Sequence, residues 1–260
     1  QTMKFGVCGA PECAAVAAAA GYDYFEWSVQ AFLQPRAGEE AFREALKQVR
    51  AAPLPSPVCN GFLPGDLKVV GPAVDAAALE AYVTTACTRA AVAGVDTIVF
   101  GSGGARAIPE GFDRAEANRQ ILAFLKMLAP IAARHGVCIV IEPLRFAECN
   151  VLNTVAESAQ MARAADAESI QLLVDGYHWA CNGEPEADIV AAAPLFRHMH
   201  IATQANRRTP GAEPCEALPR FLRTVGRIGY TGRLSIEGKI EHPAVELPAA
   251  LRLMREGVGA

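Results

Sequence analysis

The sequence predicts an α/β protein folded as a (β/α)8 barrel, a TIM barrel, with residues 1–260 forming a single domain. Eight short apolar runs recur along the 260 residues, and most are followed by a stretch of helical composition. This alternation is typical of strands that pair in parallel, because a helix returns the chain to the starting edge of the sheet. Eight strand–helix units in roughly 250 residues match the usual length of such a barrel. The longer polar segments all follow predicted strands, and we expect them to form the loops at one end of the barrel. They are Gly61–Pro72, Ser102–Phe112, Pro143–Asn153, Gly176–Pro185, which includes His178, and Ala202–Pro214.

The predicted elements follow one another in a regular order. The strands are Lys4–Cys8, Tyr22–Trp27, Ser56–Asn60, Thr97–Gly101, Val137–Glu142, Gln171–Asp175, Phe196–Ile201 and Arg233–Glu237. The helices are Glu39–Ala51, Ala73–Ala93, Asp113–Arg134, Thr154–Ala165, Cys215–Ile228 and Ala244–Glu256. Gly94, Gly136 and Gly229 stand just past predicted helix ends, where glycine readily adopts the left-handed backbone of a C-cap. An open doubly wound sheet is the alternative, and it is disfavoured because the segment after the first strand, Cys8–Pro11, lacks the spacing G-x-G-x-x-G.

The composition excludes several classes of function. Hydrophobic residues make up 52% of the chain, and the formal net charge is −4 without a basic run. Nucleic acid and membrane surfaces are therefore not expected as partners, since both attract basic proteins. The apolar runs are also shorter than the ~20 residues of a membrane span. Eight scattered cysteines without a C-x-x-C pair, and a start that opens into a strand without a secretory leader, predict a reduced, cytoplasmic protein.

Polar residues end four consecutive predicted strands, the fifth to the eighth. Side chains alternate between the two faces of a strand, and each of these residues can point into the mouth of the barrel together with the others. Carboxylates and a histidine suit a divalent cation such as Mn2+ or Mg2+, with Co2+ tolerated. Each residue alone would equally suit an ordinary rim position, but the four together favour a shared metal site. The four residues are Glu142, Asp175, His200 and Glu237.

Four stretches of the chain carry a resemblance to a known family. They are EPLRFAECNVLNT at 142–154, DGYH at 175–178, HMHIATQANRRTPG at 198–211 and SIEG at 235–238. Together they resemble the D-tagatose/D-psicose 3-epimerase family, a group of ketose 3-epimerases within the xylose-isomerase-like TIM barrel superfamily. The resemblance covers the C-terminal half well and extends more faintly to GYDYFEW at 21–27 and to the segment 59–83. Arg145 departs from the family pattern, in which an asparagine is common at this position.

The resemblance implies a role for each matching residue. It implies that Glu142, Asp175, His200 and Glu237 bind one divalent metal, with Mn2+ as the favoured ion. It further implies that Glu142 and Glu237 act as the acid and base of catalysis, and that Glu148, His178 and Arg207 contact the hydroxyl groups of the substrate. The implied activity is epimerisation or isomerisation of a keto-sugar through a cis-enediolate, with epimerisation at C3 favoured, in a homo-oligomeric enzyme.

Other functions are compatible with parts of this pattern. A single carboxylate acting on one face of the sugar would isomerise an aldose and a ketose instead of epimerising. A lyase or dehydratase acting on an inosose or a 3-keto-glycoside would use the same metal site. An abasic-DNA endonuclease shares the superfamily, but only five histidines and an acidic chain disfavour it. A sugar-binding barrel without turnover is disfavoured because both strand-end glutamates are present.

A glycine-rich run, GSGGAR at 101–106, follows the fourth predicted strand. Its backbone N–H groups and Arg106 suit a phosphate cradle. The same run also suits a flexible lid loop that binds no anion, and we favour this second interpretation.

Overall fold

Eight parallel strands close into a barrel in the computed structural model of the chain, which describes residues 2–259. The strands pair in sequence order, and the first closes on the last through pairs such as Gly6 with Ser235. The predicted (β/α)8 architecture is therefore confirmed. The strands are β1 (Lys4–Cys8), β2 (Tyr24–Ser28), β3 (Val58–Asn60), β4 (Thr97–Phe100), β5 (Cys138–Ile141), β6 (Ile170–Asp175), β7 (Phe196–Ile201) and β8 (Arg233–Ile236).

Helices surround the barrel, and the six predicted ones are present with bounds shifted by at most three residues. They are α1 (Cys13–Ala20), α2 (Val29–Phe32), α3 (Glu39–Ala51), α4 (Ala76–Ala93), α5 (Gly103–Arg106), α6 (Arg114–Arg134), α7 (Val155–Ala165), α8 (Gly176–Asn182), α9 (Glu186–Ala192), α10 (Ala217–Arg227) and α11 (Pro243–Val258), with a 3-10 turn at Ala193–Leu195. None of the helices within residues 2–259 is both long and apolar enough to cross a membrane.

Helix α8 replaces what the sequence predicted as a loop. It begins directly after β6 because the Asp175 side chain accepts a hydrogen bond from the backbone N–H of Tyr177, 2.9 Å away. An aspartate at this position is a good helix N-cap. His178 therefore lies on a helix instead of a loop, and it is buried, with 1% of its surface exposed.

The apolar core has two parts, one inside the barrel and one between the barrel and its helices. The inner part lies below the mouth and consists of Tyr24, Val58, Val99, Cys138, Val140 and Leu173. The Tyr24 ring fills the space opposite Gly6, where a Cβ atom would lie 2.2 Å from the ring. Glycine at position 6 therefore leaves room for an aromatic ring, which fills the interior of the barrel beneath the mouth.

Glu184 joins the α8–α9 turn to the start of α7. Its Oε2 accepts a hydrogen bond from the backbone N–H of Val155 at 2.7 Å, and its Oε1 has no partner among residues 2–259. Burial outweighs this hydrogen bond and raises the pKa of Glu184 to about 7. Since an unfolded glutamate titrates near ~4.3, the folded state disfavours ionised Glu184, and the protein loses stability as the pH rises from ~4.3 to about 7.

Glu184→Gln should therefore stabilise the protein more at pH 8 than at pH 5, by on the order of 1 kcal/mol or more, because glutamine keeps the hydrogen bond to Val155 without the buried charge. Urea unfolding at the two pH values measures the difference. Glu186→Gln is the matched control: Thr224 and Arg220 lower the pKa of Glu186, so its replacement should cost more stability at high pH. Equal effects of Glu184→Gln at both pH values would contradict this assignment.

Candidate metal centre and active site

The four strand-end residues predicted as metal ligands meet at the C-terminal mouth of the barrel. Asp175 and His200 lie at the ends of β6 and β7, whereas Glu142 and Glu237 directly follow β5 and β8. One ligand atom from each lies within 4.8 Å of those of the other three. Because the strands are parallel and adjacent, their carboxyl ends bring together side chains that are far apart in sequence. The arrangement predicted from the sequence is therefore present, while the role of each residue stays a prediction.

His200 stands at the centre of this cluster. Its Nδ1 lies 3.3 Å from Glu142 Oε1 and 3.4 Å from Glu237 Oε2. Burial alone would lower the pKa of His200, but the carboxylates of Glu26 and Glu237 outweigh it and raise that pKa well above its usual value. Each ring nitrogen of His200 thus lies next to at least one carboxylate: Nδ1 faces Glu142 and Glu237, and Nε2 faces Glu26.

The three carboxylates of the cluster differ in their affinity for protons. Burial, together with the charges of Glu237 and Glu142, raises the pKa of Asp175 to about 7. Burial and the charge of Glu237 also raise the pKa of Glu142. Burial opposes ionisation of Glu237 too, but His200 and Arg207 outweigh it and lower its pKa to about 2. Two of the three groups therefore hold protons more tightly than usual, which indicates that the cluster is short of positive charge.

The donor set fits a divalent cation. Two ligand atoms on opposite sides of an ion with metal–oxygen distances of about 2.1 Å would be about 4.2 Å apart, and the four ligand atoms of the cluster all lie within 4.8 Å of one another. Three carboxylates and one imidazole match the preference of Mn2+ and Mg2+ for oxygen-rich sites. A bound cation would also supply the positive charge that the raised pKa values of Asp175 and Glu142 show to be lacking.

The three residues predicted to contact substrate lie around this cluster. Arg207 donates to Glu237 Oε2, and its Nη2 lies 3.4 Å from Asp175 Oδ2. His178 Nδ1 accepts from a backbone N–H, while its Nε2 lies 3.7 Å from Asp175 Oδ2. Burial and the charge of Arg207 lower the pKa of His178 to about 3, so this ring is neutral with its proton on Nε2. Glu148 is farther out, one-third exposed, and 4.0 Å from Arg207.

Sequence reasoning missed three residues that shape the site. Asn60 ends β3 and donates from Nδ2 to Glu237 Oε1 at 3.0 Å. Glu26, in the middle of β2, accepts from His200 Nε2 at 3.0 Å and is 1% exposed. Gly101 follows β4, and a Cβ atom there would lie 2.3 Å from Glu142 Oε2. The polar residue at the end of β3 and the single charge within the apolar run YFEWS were the available signals for the first two.

Arg106 does not serve as a phosphate ligand in the glycine-rich run. It is fully buried, and its guanidinium donates to the backbone carbonyls of Phe100, Glu142 and Leu152 at 2.9, 2.7 and 3.2 Å. These bonds fix the backbone around Glu142 from outside the barrel. The interpretation of Arg106 as a phosphate ligand is therefore wrong, because its guanidinium points into the protein and is occupied by backbone carbonyls.

Gly101→Ala should displace the Glu142 carboxylate and weaken Mn2+ binding, with little loss of stability because the contact is with the flexible end of a side chain. Calorimetric titration with Mn2+ and urea unfolding measure the two effects. Gly65→Ala is the control, since its Cβ would be 3.9 Å from the nearest atom, the Gly104 Cα. An Mn2+ affinity unchanged in Gly101→Ala would show that Glu142 does not need this space.

Comparison with known proteins gives both sequence and structural matches. A putative hydroxypyruvate isomerase from Streptomyces coelicolor is 30% identical over 158 residues, covering 56% of this chain and 56% of that protein. D-psicose 3-epimerase from Agrobacterium fabrum is 30% identical over 113 residues, covering 42% of this chain and 38% of that protein. These matches thus span about half or less of the length of the curated relatives.

A solved structure of D-psicose 3-epimerase with D-tagatose, from Clostridium cellulolyticum H10, superposes with a TM-score of 0.84 at 17% identity. The superposition covers 98% of this chain and 99% of the other, and at this identity it shows a shared fold. Residues 14–257 match the family model described as a xylose isomerase-like TIM barrel. That match spans nearly the whole chain and agrees with the closed eight-stranded barrel. The chain therefore belongs to the xylose isomerase-like TIM barrel family.

Proposed function

We propose that this protein is a metal-dependent epimerase of keto-sugars that acts at C3, with Glu142 and Glu237 as its acid and base. The observation that carries the proposal is the convergence of Glu142, Asp175, His200 and Glu237 within 4.8 Å at the mouth of the barrel. The named activities of the relatives, a D-psicose 3-epimerase and a putative hydroxypyruvate isomerase, support a reaction at a carbon next to a carbonyl group.

The chemistry requires a placed base on each side of the reacting carbon. A proton next to a ketone is weakly acidic, so its removal needs a carboxylate held at the carbon and stabilisation of the charge that develops on the oxygens. A divalent ion, when bound by Glu142, Asp175, His200 and Glu237, supplies that stabilisation as a Lewis acid. We favour Mn2+ because the donor set combines three carboxylates with one imidazole.

Glu142 and Glu237 are suited to act as a pair. Glu142 follows β5 and Glu237 follows β8, and both carboxylates lie close to the same nitrogen, His200 Nδ1. One carboxylate would remove the C3 proton from one face of the sugar, and the other would return a proton to the opposite face, which inverts the carbon. If one carboxylate did both steps on one face, the product would be an aldose instead.

The surrounding polar groups would orient the sugar. The neutral His178 can donate a hydrogen bond from Nε2 to a hydroxyl group, and Arg207 and Glu148 can bind further hydroxyls from the rim. Since these groups are polar and close together, we expect a small sugar as substrate and not a nucleic acid. A homo-oligomeric state and a cytoplasmic location remain predictions.

Glu142→Gln and Glu237→Gln should each lower kcat by about 10²–10⁴-fold, because each removes one of the two proton-transfer groups. The test incubates the protein and Mn2+ with D-fructose, D-psicose, D-tagatose and hydroxypyruvate in deuterated water and follows product and deuterium at each carbon by NMR. We expect deuterium at C3 of a ketose with inversion. Asn182→Asp, outside the cluster, is the control for nonspecific loss.

The outcomes of this experiment separate the candidate functions. Deuterium at C1 or C2 with an aldose or aldehyde product would indicate isomerisation, which the hydroxypyruvate isomerase relative makes the second candidate. Full exchange at C3 in both glutamine variants would contradict the roles of Glu142 and Glu237. Loss of a water molecule from the substrate would indicate a dehydratase.

A further inference from the structure

A buried hydrogen-bond network lies directly beneath the four-residue cluster and is not used by the proposed chemistry. Its centre is the carboxylate of Glu26, which projects from β2 into the barrel and is 1% exposed. Three donors from β7 and β8 surround it, and a fourth residue supports one of them from below. These residues are His198, His200, Ser235 and Tyr24.

We propose that Glu26 is a positioning residue that selects the tautomer of His200, so that Nδ1 presents a free lone pair to the divalent ion. The inference rests on the proposed metal site and adds to it the group that makes the histidine a competent ligand. Glu26 would act through His200 and would not itself contact the ion or the substrate.

The two nitrogens of His200 face opposite surroundings. Nε2 lies 3.0 Å from Glu26 Oε1, while Nδ1 faces Glu142 and Glu237 at 3.3 and 3.4 Å. A neutral imidazole carries its proton on one nitrogen and binds a metal through the other. An ionised carboxylate only accepts hydrogen bonds, so Glu26 requires the proton on Nε2. When a divalent cation takes the place of the proton that Glu142 and Glu237 favour on Nδ1, the tautomer left to His200 is the one that keeps its proton on Nε2 and binds the cation through Nδ1.

Glu26 is itself held so that it cannot turn away. Its Oε2 accepts from Ser235 Oγ at 2.7 Å and from His198 Nε2 at 2.9 Å. Because Ser235 donates its proton to Glu26, the Tyr24 hydroxyl at 2.8 Å donates to Ser235. The hydrogen bonds of this network therefore all run towards Glu26. Its Oε1 accepts from His200, and its Oε2 accepts from Ser235 and His198.

The same contacts explain why Glu26 is not a ligand. Glu26, His198 and His200 also place ligand atoms within 4.8 Å of one another. However, the facing nitrogens of both histidines donate to Glu26, and Ser235 occupies its Oε2 as well. Both oxygens of Glu26 are thus occupied by three donors beneath the cluster, whereas Glu142 and Glu237 each place a carboxylate oxygen beside His200 Nδ1.

Glu26→Leu, which removes the acceptor, should weaken Mn2+ binding about 10–100-fold, the usual cost of losing a group that orients a metal ligand. Calorimetric titration at fixed pH measures the affinity without any substrate. Glu184→Gln is the matched control, because it removes a buried carboxylate that lies outside this network; its Mn2+ affinity should stay within about threefold of the wild type, below the range expected for the leucine variant. If Glu26→Leu, shown to be folded by circular dichroism, binds Mn2+ like the wild type, the inference is overturned.

A spectroscopic measurement on the wild type tests the same idea without a variant. Nitrogen-15 NMR of histidine-labelled protein loaded with diamagnetic Mg2+ reports which ring nitrogen of His200 carries the proton. We expect a proton on Nε2 and an unprotonated Nδ1, and a proton on Nδ1 would refute the inference even if Glu26→Leu did not fold. A wild type that binds Mn2+ but converts no ketose would contradict the proposed function alone, whereas one that binds no divalent ion would contradict the metal site on which both rest.

Discussion

Because eight parallel strands close into a barrel, their carboxyl ends all lie at the same mouth. This constraint determines which side chains meet in the site. It brings three carboxylates to within a few ångströms of one imidazole, in a place where Asp175 and His200 have no exposed surface. Like charges at this distance in a poorly solvated setting repel strongly. The groups around them respond to that repulsion: Arg207 pairs with Glu237 and Asp175, and two of the carboxylates retain their protons more tightly than in water.

The site is supported from two directions by rigid parts of the fold. Beneath the site, the hydrogen-bond network of Glu26 ends at the hydroxyl of Tyr24, whose ring fills the barrel interior next to Gly6. From outside, Arg106 ties the backbone of Glu142 to two neighbouring segments. Side chains held at strand ends by such contacts keep a fixed geometry more easily than side chains on free loops. The functional groups are therefore preorganised by the same contacts that stabilise the barrel.

The sequence was sufficient for the parts of the site that depend on strand ends. Glu142, Asp175, His200 and Glu237 were predicted because each follows an apolar run in a chain with eight such runs, and parallel pairing then requires them to meet. Side-chain alternation shows which residues share a face, but not which face points into the barrel. The single charge of Glu26 within an apolar run was therefore a signal of a special position, but it did not show that Glu26 lies inside the barrel beneath the cluster.

Other features depend on contacts that no local pattern encodes. His178 was expected on a loop, but the Asp175 side chain caps a helix there and buries the histidine. The run that contains Arg106 suited either an anion site or a lid loop, whereas the Arg106 guanidinium donates to three carbonyl groups from segments up to 46 residues away. The role of Gly101 follows from the position of Glu142 Oε2, which belongs to another strand. These outcomes are set by tertiary packing and not by composition or spacing.

We propose that one divalent ion binds at the mouth of the barrel between Glu142 and Glu237. Crystals grown with Mn2+, with diffraction recorded at the manganese absorption edge, test this most directly. We expect a single anomalous peak in contact with oxygens of Glu142, Asp175 and Glu237 and with Nδ1 of His200. A mouth without such a peak, or a peak bound elsewhere on the chain, would contradict it.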